Sequence, residues 1–335
     1  MSSPTFPPQD GRIAVVVPAF NESGALPALH RRLAAVLDGL EGAFEVLYID
    51  DGSRDGTWEA IGALAAGDAR VSGLRLSRNF GKELALTAGL DHLDCGVSAA
   101  IVLDADGQDP PELIPEMIRR WREGAEVVYG VRTRREGEGW FKRATAHAFY
   151  RVMARLSNTP VPRDTGDFRL MDRRVLDALS RLRERHRFMK GLFAWVGFRQ
   201  EPMPYVREPR SAGRTSFNYW KLWNFALEGI TSFSTAPLRV ATYFGLLVAG
   251  LAFAYGVWII GTTLLLGDSV PGYPSLMVVI LFLGGVQLVA LGIIGEYLGR
   301  LYDESKQRPL YLVDRWAPAA ATQAPGRAAG AGPQA

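Results

Sequence analysis

Along the first half of the chain, short apolar runs alternate with segments whose apolar positions recur every three or four residues. Ile13-Ala14-Val15-Val16-Val17 is an uninterrupted apolar run stopped by Pro18, the pattern of a strand covered on both faces. Leu26, Leu29, Leu33, Val36, Leu37 and Leu40 then follow at helical spacing. The same reading predicts a strand over Phe44 to Ile49, a helix over Thr57 to Ala66, a strand over Leu74 to Leu76 and a helix over Lys82 to Leu93. A strand over Ala99 to Leu103, a helix opened by Pro110-Pro111 and a strand over Glu126 to Tyr129 continue the series. Such alternation predicts an α/β domain of parallel strands with crossover helices on both faces. Ligands of such sheets bind beyond the carboxyl ends of the strands. The polar clusters Asn21-Glu22, Asp50-Asp51, Asn79 to Lys82 and Asp104 to Asp109 all fall at those ends, so they are expected to converge on one cleft.

The pattern changes near the C-terminus. No charged residue occurs from 240 to 266, nor from 269 to 295. As a helix each run is about 40 Å long, enough to cross a hydrocarbon core of about 30 Å. The turn between them, Gly267 to Pro274, holds two Gly and two Pro. The pair predicts a transmembrane hairpin. Arg239 precedes it, Arg300, Lys306 and Arg308 follow it, and the turn carries no Lys or Arg, so both ends are expected on the cytoplasmic side. Two further stretches, Arg132 to Arg155 and Asn218 to Phe233, mix basic and aromatic residues in the manner of interfacial helices.

Composition narrows the picture little. The chain has 335 residues, 48% hydrophobic and 22% charged, with a formal net charge of +3. That balance gives no reason to expect a nucleic-acid partner and is compatible with an anionic membrane surface. A single cysteine excludes an intramolecular disulfide, and Cys95, with no activating neighbour in sequence, is expected to be a small buried residue. Met1 to Asp10 lacks the apolar stretch of a signal peptide, so the first domain is expected to stay in the cytoplasm. The expected organisation is a disordered segment over 1–10, a cytoplasmic catalytic domain with interfacial helices over 11–235, and two membrane helices over 236–299. A cytoplasmic segment over 300–316 and a disordered Ala-, Pro- and Gly-rich tail over 317–335 complete it.

The acidic clusters suggest a chemistry. Asp104-Ala105-Asp106 places two carboxylates one residue apart after an apolar strand, with Gln108 and Asp109 close behind. Oxygen donors of this kind suit Mg2+ or Mn2+, and such an ion neutralises a diphosphate leaving group. Asp50 and Asp51 offer acceptors for the N–H and hydroxyl groups of a nucleoside, and equally a cap for the helix near Thr57. Lys82, after Gly81 at a helix start, is placed to reach a diphosphate or to lie solvated on the surface.

Three stretches carry a family resemblance: Val15 to Glu22, Asp50-Asp51-Gly52-Ser53-Arg54-Asp55-Gly56-Thr57, and Asp104-Ala105-Asp106-Gly107-Gln108-Asp109-Pro110-Pro111-Glu112. They resemble the inverting family 2 glycosyltransferases of the GT-A (Rossmann-like) fold. More narrowly they resemble the bacterial undecaprenyl-phosphate glucosyltransferases, relatives of dolichol-phosphate mannose synthase. Ser77 to Glu83, Gly166-Asp167-Phe168-Arg169-Leu170, Arg187 to Gly191 and Gly295 to Arg300 extend the likeness over about Arg12 to Val313. Two departures stand out: Gly107 where the family often has Leu, and Thr215-Ser216-Phe217 where it often has Ser-Lys-Tyr.

The resemblance implies that Asp104, Asp106 and Gln108 surround a divalent metal. It implies that Pro18, Asn21, Glu22, Asp50, Asp51, Lys82 and Asp104 hold the nucleotide, and that Asp106, Asp167 and Arg169 lie at the reacting centre. The donor is then a UDP-sugar, most often UDP-glucose, and the acceptor a polyprenyl phosphate in the bilayer. The setting is the bacterial inner membrane, with multi-pass topology and self-association into a homo-oligomer. A second phosphate needs its own counter-charge, and Arg132, Arg134, Arg207, Arg210 and Arg214 are the candidates for it. Processive polysaccharide synthases share the fold but carry a Gln-x-x-Arg-Trp motif late in the domain. The nearest match here, Met117 to Trp121, lacks the Gln and follows directly on the Asp104–Asp106 motif. A nucleotide-binding scaffold or lipid-carrier transporter is the non-enzymatic alternative.

Overall fold

The computed structural model describes residues 11–133, 165–185, 187–206, 236–266 and 272–319. The stretch proposed as the first interfacial helix falls outside these residues except for Arg132 and Thr133, and the second lies wholly outside them. So do Arg134, Arg207, Arg210 and Arg214.

The elements are β1 (Arg12–Ala19), α1 (Leu26–Asp38), β2 (Phe44–Asp50), α2 (Thr57–Gly67), β3 (Val71–Leu76), α3 (Lys82–Asp91) and β4 (Val97–Val102). A 3-10 turn over Pro111–Leu113 leads into α4 (Ile114–Arg122), followed by β5 (Val127–Arg132) and β6 (Thr165–Asp172). Then come α5 (Arg173–Ser180), α6 (Met189–Trp195), β7 (Gln200–Tyr205), α7 (Ala236–Leu266), α8 (Tyr273–Ser305) and β8 (Val313–Ala317).

The strands form one sheet of order β7-β5-β6-β4-β1-β2-β3-β8. Its centre explains the apolar run first noted in the sequence. In β1 the side chains alternate between two cores. Ile13, Val15 and Val17 pack with Leu26, Leu29 and Leu33 on one face, and Ala14 and Val16 pack with Leu86, Ala88 and Val175 on the other. A strand with both faces covered has no polar side to alternate to. On the second face α3 lies very close: a Cβ on Gly89 would come within 2.7 Å of Val16 and Ile49 side-chain carbons.

The order β3-β2-β1-β4 is parallel throughout, as the alternation predicts. The chain leaves β1 toward β2 and β3, then crosses back to β4 on the other side of β1. The cleft expected of such a sheet therefore lies beyond the ends of β1 and β4. Beyond it β5 and β7 pair in parallel, and two strands depart from the parallel expectation. β6 runs antiparallel between β4 and β5, and β8 runs antiparallel along β3. These strands escaped the reading because no strand–helix–strand repeat announces them. Cys95 is also corrected: it is exposed, beside Asp94 in the turn before β4, where a short connection has no core to bury it in.

α7 and α8 contain two segments, Leu238–Thr262 and Val278–Ser305, long and apolar enough to cross a membrane. Large side chains there face outward: Phe253 is 75% exposed and Leu265 86%. A soluble environment would make that costly, and together these helices indicate membrane association.

One turn at the cleft has a strict backbone demand. Gly52 has φ +65°, and a Cβ there would lie 2.4 Å from the Arg78 carbonyl carbon and 2.7 Å from the Asn79 amide nitrogen. Gly52→Ala is expected to cost about 1–3 kcal/mol, read as a lower denaturation midpoint with an unchanged far-UV spectrum.

Candidate active site

The ends of β1, β2, β3 and β4 supply the walls of one cleft, lined among others by Pro18, Glu22, Asp51, Lys82, Asp104 and Asp106. Each wall is held by its own turn. After β1, Asn21 takes φ 55°, its N–H donates to Ser53 Oγ (2.9 Å), and its Oδ1 accepts from the Arg54 N–H (3.0 Å). After β2, the buried Asp51 carboxylate accepts the Phe80 and Gly81 N–H groups at 2.7 and 2.9 Å. Burial pushes the Asp51 carboxyl up, and those two N–H groups pull against it. Asp50 Oδ1 accepts the Ser53 N–H at 2.8 Å. The cap expected of this pair for the helix near Thr57 is not made: the N-cap of α2 is Gly56, with no side-chain cap, and the two carboxylates brace the turn itself while Asp51 also faces the cleft.

The antiparallel β6 completes the site. Its register, Val102 beside Arg169, sets the start of β6 against the end of β4. Asp167 thereby meets Asp104 across the sheet although 63 positions separate them in sequence (167 − 104). Lys82, from the first turn of α3, places its Nζ between them, 2.6 Å from Asp104 Oδ1 and 2.5 Å from Asp167 Oδ2. The Lys82 side chain is 44% exposed; its stem faces the open cleft while the ammonium is enclosed by carboxylates. Loss of water around the ammonium lowers its pKa, but Asp104 and Asp167 outweigh that and hold it above the usual lysine range. Burial likewise pushes Asp167 up, and Lys82, Lys190 and Arg169 override it, so Asp167 stays ionised well below the ordinary carboxylate range.

Arg169 is buried beneath this group. Its guanidinium lies 3.6 Å from the centre of the Phe193 ring and donates to the Gly166 carbonyl at 2.9 Å. Burial lowers its pKa to about 10 against the pull of Asp167 and Glu83. That geometry braces the start of β6. Arg132 lies at the end of β5, its Nε 3.4 Å from Tyr205 Oη, and Tyr205 donates to Asp109 Oδ1 at 2.5 Å. Among the described candidates for an acceptor phosphate, Arg132 is the one the structure brings to this rim.

Asp104 and Asp106 form the acidic lip. Asp104 Oδ1 is buried and, although close to Lys82, makes no hydrogen bond of good geometry. Asp106 Oδ1 accepts the Gln108 N–H at 3.1 Å. Among the described residues no group of three or more His, Cys, Asp or Glu side chains gathers to hold an ion alone. Two carboxylates completed by phosphate oxygens of a substrate are the arrangement in which Mg2+ is commonly held. The donor set fits such an ion on those terms.

Two residues at the site were not singled out by sequence. Lys190 and Glu83 both act electrostatically on Asp167, and both sit inside stretches, Arg187 to Gly191 and Ser77 to Glu83, noted only as motifs. Burial first, then Asp167, push the Glu83 carboxyl up to about 7, against Lys82 and Lys190.

The pattern of glycosyl transferase family 2 matches residues 14–180, and that of the GtrB C-terminal hairpin matches residues 236–301. An uncharacterized glycosyltransferase of Synechocystis sp. is 52% identical over 305 residues, covering 91% of this chain and 95% of that protein. A prophage bactoprenol glucosyl transferase homolog of Escherichia coli K12 is 48% identical over 304 residues, 91% of this chain and 99% of that one. The bactoprenol glucosyl transferase of Shigella phage SfV is 49% identical over 302 residues, 90% and 98% of the two chains. The protein is a glycosyltransferase with a GT-A-like domain and two apolar C-terminal helices. It belongs to glycosyl transferase family 2.

Glu83 yields a pH prediction. A carboxyl raised from 4.5 to about 7 on folding contributes stability that is present below its unfolded value and lost as pH rises through 7. The Tm of the wild type is expected to fall from about pH 5 to about pH 8 more steeply than that of Glu83→Gln. Parallel Tm curves for the two proteins would contradict this.

Proposed function

We propose that the protein transfers glucose from UDP-glucose to undecaprenyl phosphate, with inversion, on the cytoplasmic face of a bacterial inner membrane. The observation that carries the reading is near-half identity, along almost the whole of both chains, to proteins named bactoprenol glucosyl transferases. The cleft gives it a chemical route.

In this reading Pro18, Glu22, Asp50 and Asp51 hold the nucleoside, Asn21 fixes the loop beside it, and Lys82 turns from Asp104 and Asp167 to the donor diphosphate. Asp104 and Asp106, with Gln108 behind them, would hold Mg2+ or Mn2+ against that diphosphate, where the ion supplies charge neutralisation for the leaving group. The nucleophile needs little help. A phosphate monoester has its second pKa near 6 and is largely a dianion at neutral pH. One of its oxygens forms the new bond to the anomeric carbon as the carbon–oxygen bond to UDP breaks. The electron pair leaves with the diphosphate, and no proton has to move. Asp167 then orients rather than deprotonates, consistent with a carboxyl held ionised by Lys82, Lys190 and Arg169. Arg132 provides counter-charge for the acceptor phosphate, with Arg134, Arg207, Arg210 and Arg214 proposed to join it. Arg239 in the first turn of α7, and Arg300, Lys306 and Arg308 at and beyond the end of α8, favour both ends of the hairpin lying on the catalytic side.

Purified protein incubated with undecaprenyl phosphate and a set of UDP-sugars is expected to give a glucosylated lipid detectable by mass spectrometry. Excess EDTA, Asp104→Asn and Asp106→Asn are each expected to lower turnover by roughly two orders of magnitude or more. Full activity in EDTA, or transfer from every donor except UDP-glucose, overturns the corresponding part of the assignment.

Topology is tested separately. A cysteine placed at Ser269, in a Cys95→Ser background, is expected to react with an impermeant reagent in intact cells while tags at both termini stay protected. Labelled termini would reverse the orientation.

A further inference from the structure

After the second membrane helix the chain returns to the catalytic sheet. The Ser77 N–H donates to the Leu312 carbonyl at 2.9 Å, and β8 continues along β3 with Arg75 beside Arg315. Two side-chain contacts fasten the return: Tyr311 Oη donates to Asp91 Oδ2 at 2.9 Å, and Glu304 Oε1 accepts the Arg185 N–H at 2.7 Å. This strap runs along β3, and Arg75 of β3 links it to the turn read above as part of the nucleoside pocket. Asp50 is fully buried, and its Oδ2 has no hydrogen-bond partner. The cation that faces it is Arg75, with Nε at 3.4 Å. The Arg75 Nη2 donates to the Ser53 carbonyl at 3.4 Å, so one guanidinium holds the Asp50–Ser53 turn at both ends. Asp314 of β8 also approaches this guanidinium, with Oδ2 3.9 Å from Nε, while the same oxygen lies 3.5 Å from Arg315 Nε.

A buried carboxylate without a counter-charge is costly, and it relaxes by moving or by taking up a proton. Either outcome shifts Asp51 and Ser53, because they share the turn. Ser53 in turn accepts the Asn21 N–H, so the disturbance reaches both loops around the base. An arginine met by carboxylates from the strands on either side of its own has fewer geometries open to it, and removing the outer carboxylate loosens it.

We propose that Arg75 is a positioning residue for the donor nucleoside, and that β8, the strand following the membrane hairpin, completes the donor site by holding Arg75 through Asp314. The inference rests on the reading of Asp50 and Asp51 as the nucleoside side of the cleft.

The test measures UDP binding by calorimetry on the full chain, without lipid, alongside Tm and the KM values for donor and acceptor. Arg75→Gln is expected to weaken UDP about tenfold and raise the donor KM similarly, leaving kcat and the acceptor KM near wild type. Arg75→Lys is expected to recover part of the loss. Asp314→Asn, on a half-exposed side chain, is expected to weaken UDP about threefold without lowering Tm. A chain ending at Leu312 is expected to behave like Arg75→Gln, and a chain ending at Ala319 like wild type. If Arg75→Gln does not fold, Asp314→Asn and the chain ending at Leu312 decide. Wild-type UDP affinity in the folded variants overturns the inference, as does an equal loss in donor and acceptor use. Asp51→Asn separates the two failures: if it lowers UDP affinity while the Arg75 and Asp314 variants do not, the role of the strap alone is wrong. If Asp51→Asn also leaves UDP affinity intact, the placement of the nucleoside is wrong.

Discussion

One ammonium group organises the catalytic end of the molecule. Lys82 Nζ lies within 2.6 Å of Asp104 and 2.5 Å of Asp167. Each of the three residues comes from a different element: α3, the turn after β4 and the start of β6. Two carboxylates this close repel each other strongly in a desolvated site, and a cation between them turns repulsion into attraction. Asp167 thus stays ionised because a cation stands beside it. Arg169 and Lys190 add to that field from below, which is why Asp167 stays ionised despite its burial. The site is a balance of charges, and Asp167 read without its cationic neighbours would be given the wrong protonation state.

That balance depends on a topological choice. Had β6 joined the sheet parallel to β4, its C-terminal end would have lain at the cleft, and Asp167 would have been carried to the opposite edge. The antiparallel insertion brings the start of β6 to the end of β4 instead. At its other end Asp172 caps α5 by accepting the Arg174 N–H, and it also accepts the Trp121 indole N–H at 2.8 Å. The strand is pinned at both ends, by a charge cluster and by a cap.

The parallel half of this architecture was legible in the sequence because its strands announce themselves. β1 is a block of apolar residues, the helices after it repeat at helical spacing, and acidic residues mark the strand ends. The β1, β2 and β4 assignments fall within two residues of the observed bounds, and the cleft falls where those ends predict. β6 was legible only as a motif. Gly166 to Leu170 contains Asp and Arg in the middle of a buried strand, and a polarity pattern rejects such residues; they are accommodated because Arg169 stacks on Phe193 and Asp167 is matched by Lys82. β8 was invisible for the opposite reason. An exposed edge strand buries too little to need a pattern, and Val313 to Trp316 reads as polar linker. Arg75 carried no signal either, since its partners lie 25 positions back and 239 ahead (75 − 50 and 314 − 75).

The return of the chain after the hairpin bears on how the domain is made. β3 is the last strand of the parallel block, and among the described residues its outer edge is covered by β8. The residues that cover it are synthesised after both apolar helices. During translation that edge has no β8 to pair with until both apolar helices and the last strand have left the ribosome. An open edge is a template for pairing with other chains. A catalytic fragment cut off before α7 keeps every residue of the cleft yet loses the strand that seals the sheet. The membrane segment is thus also a spacer that carries the closing strand back to its place.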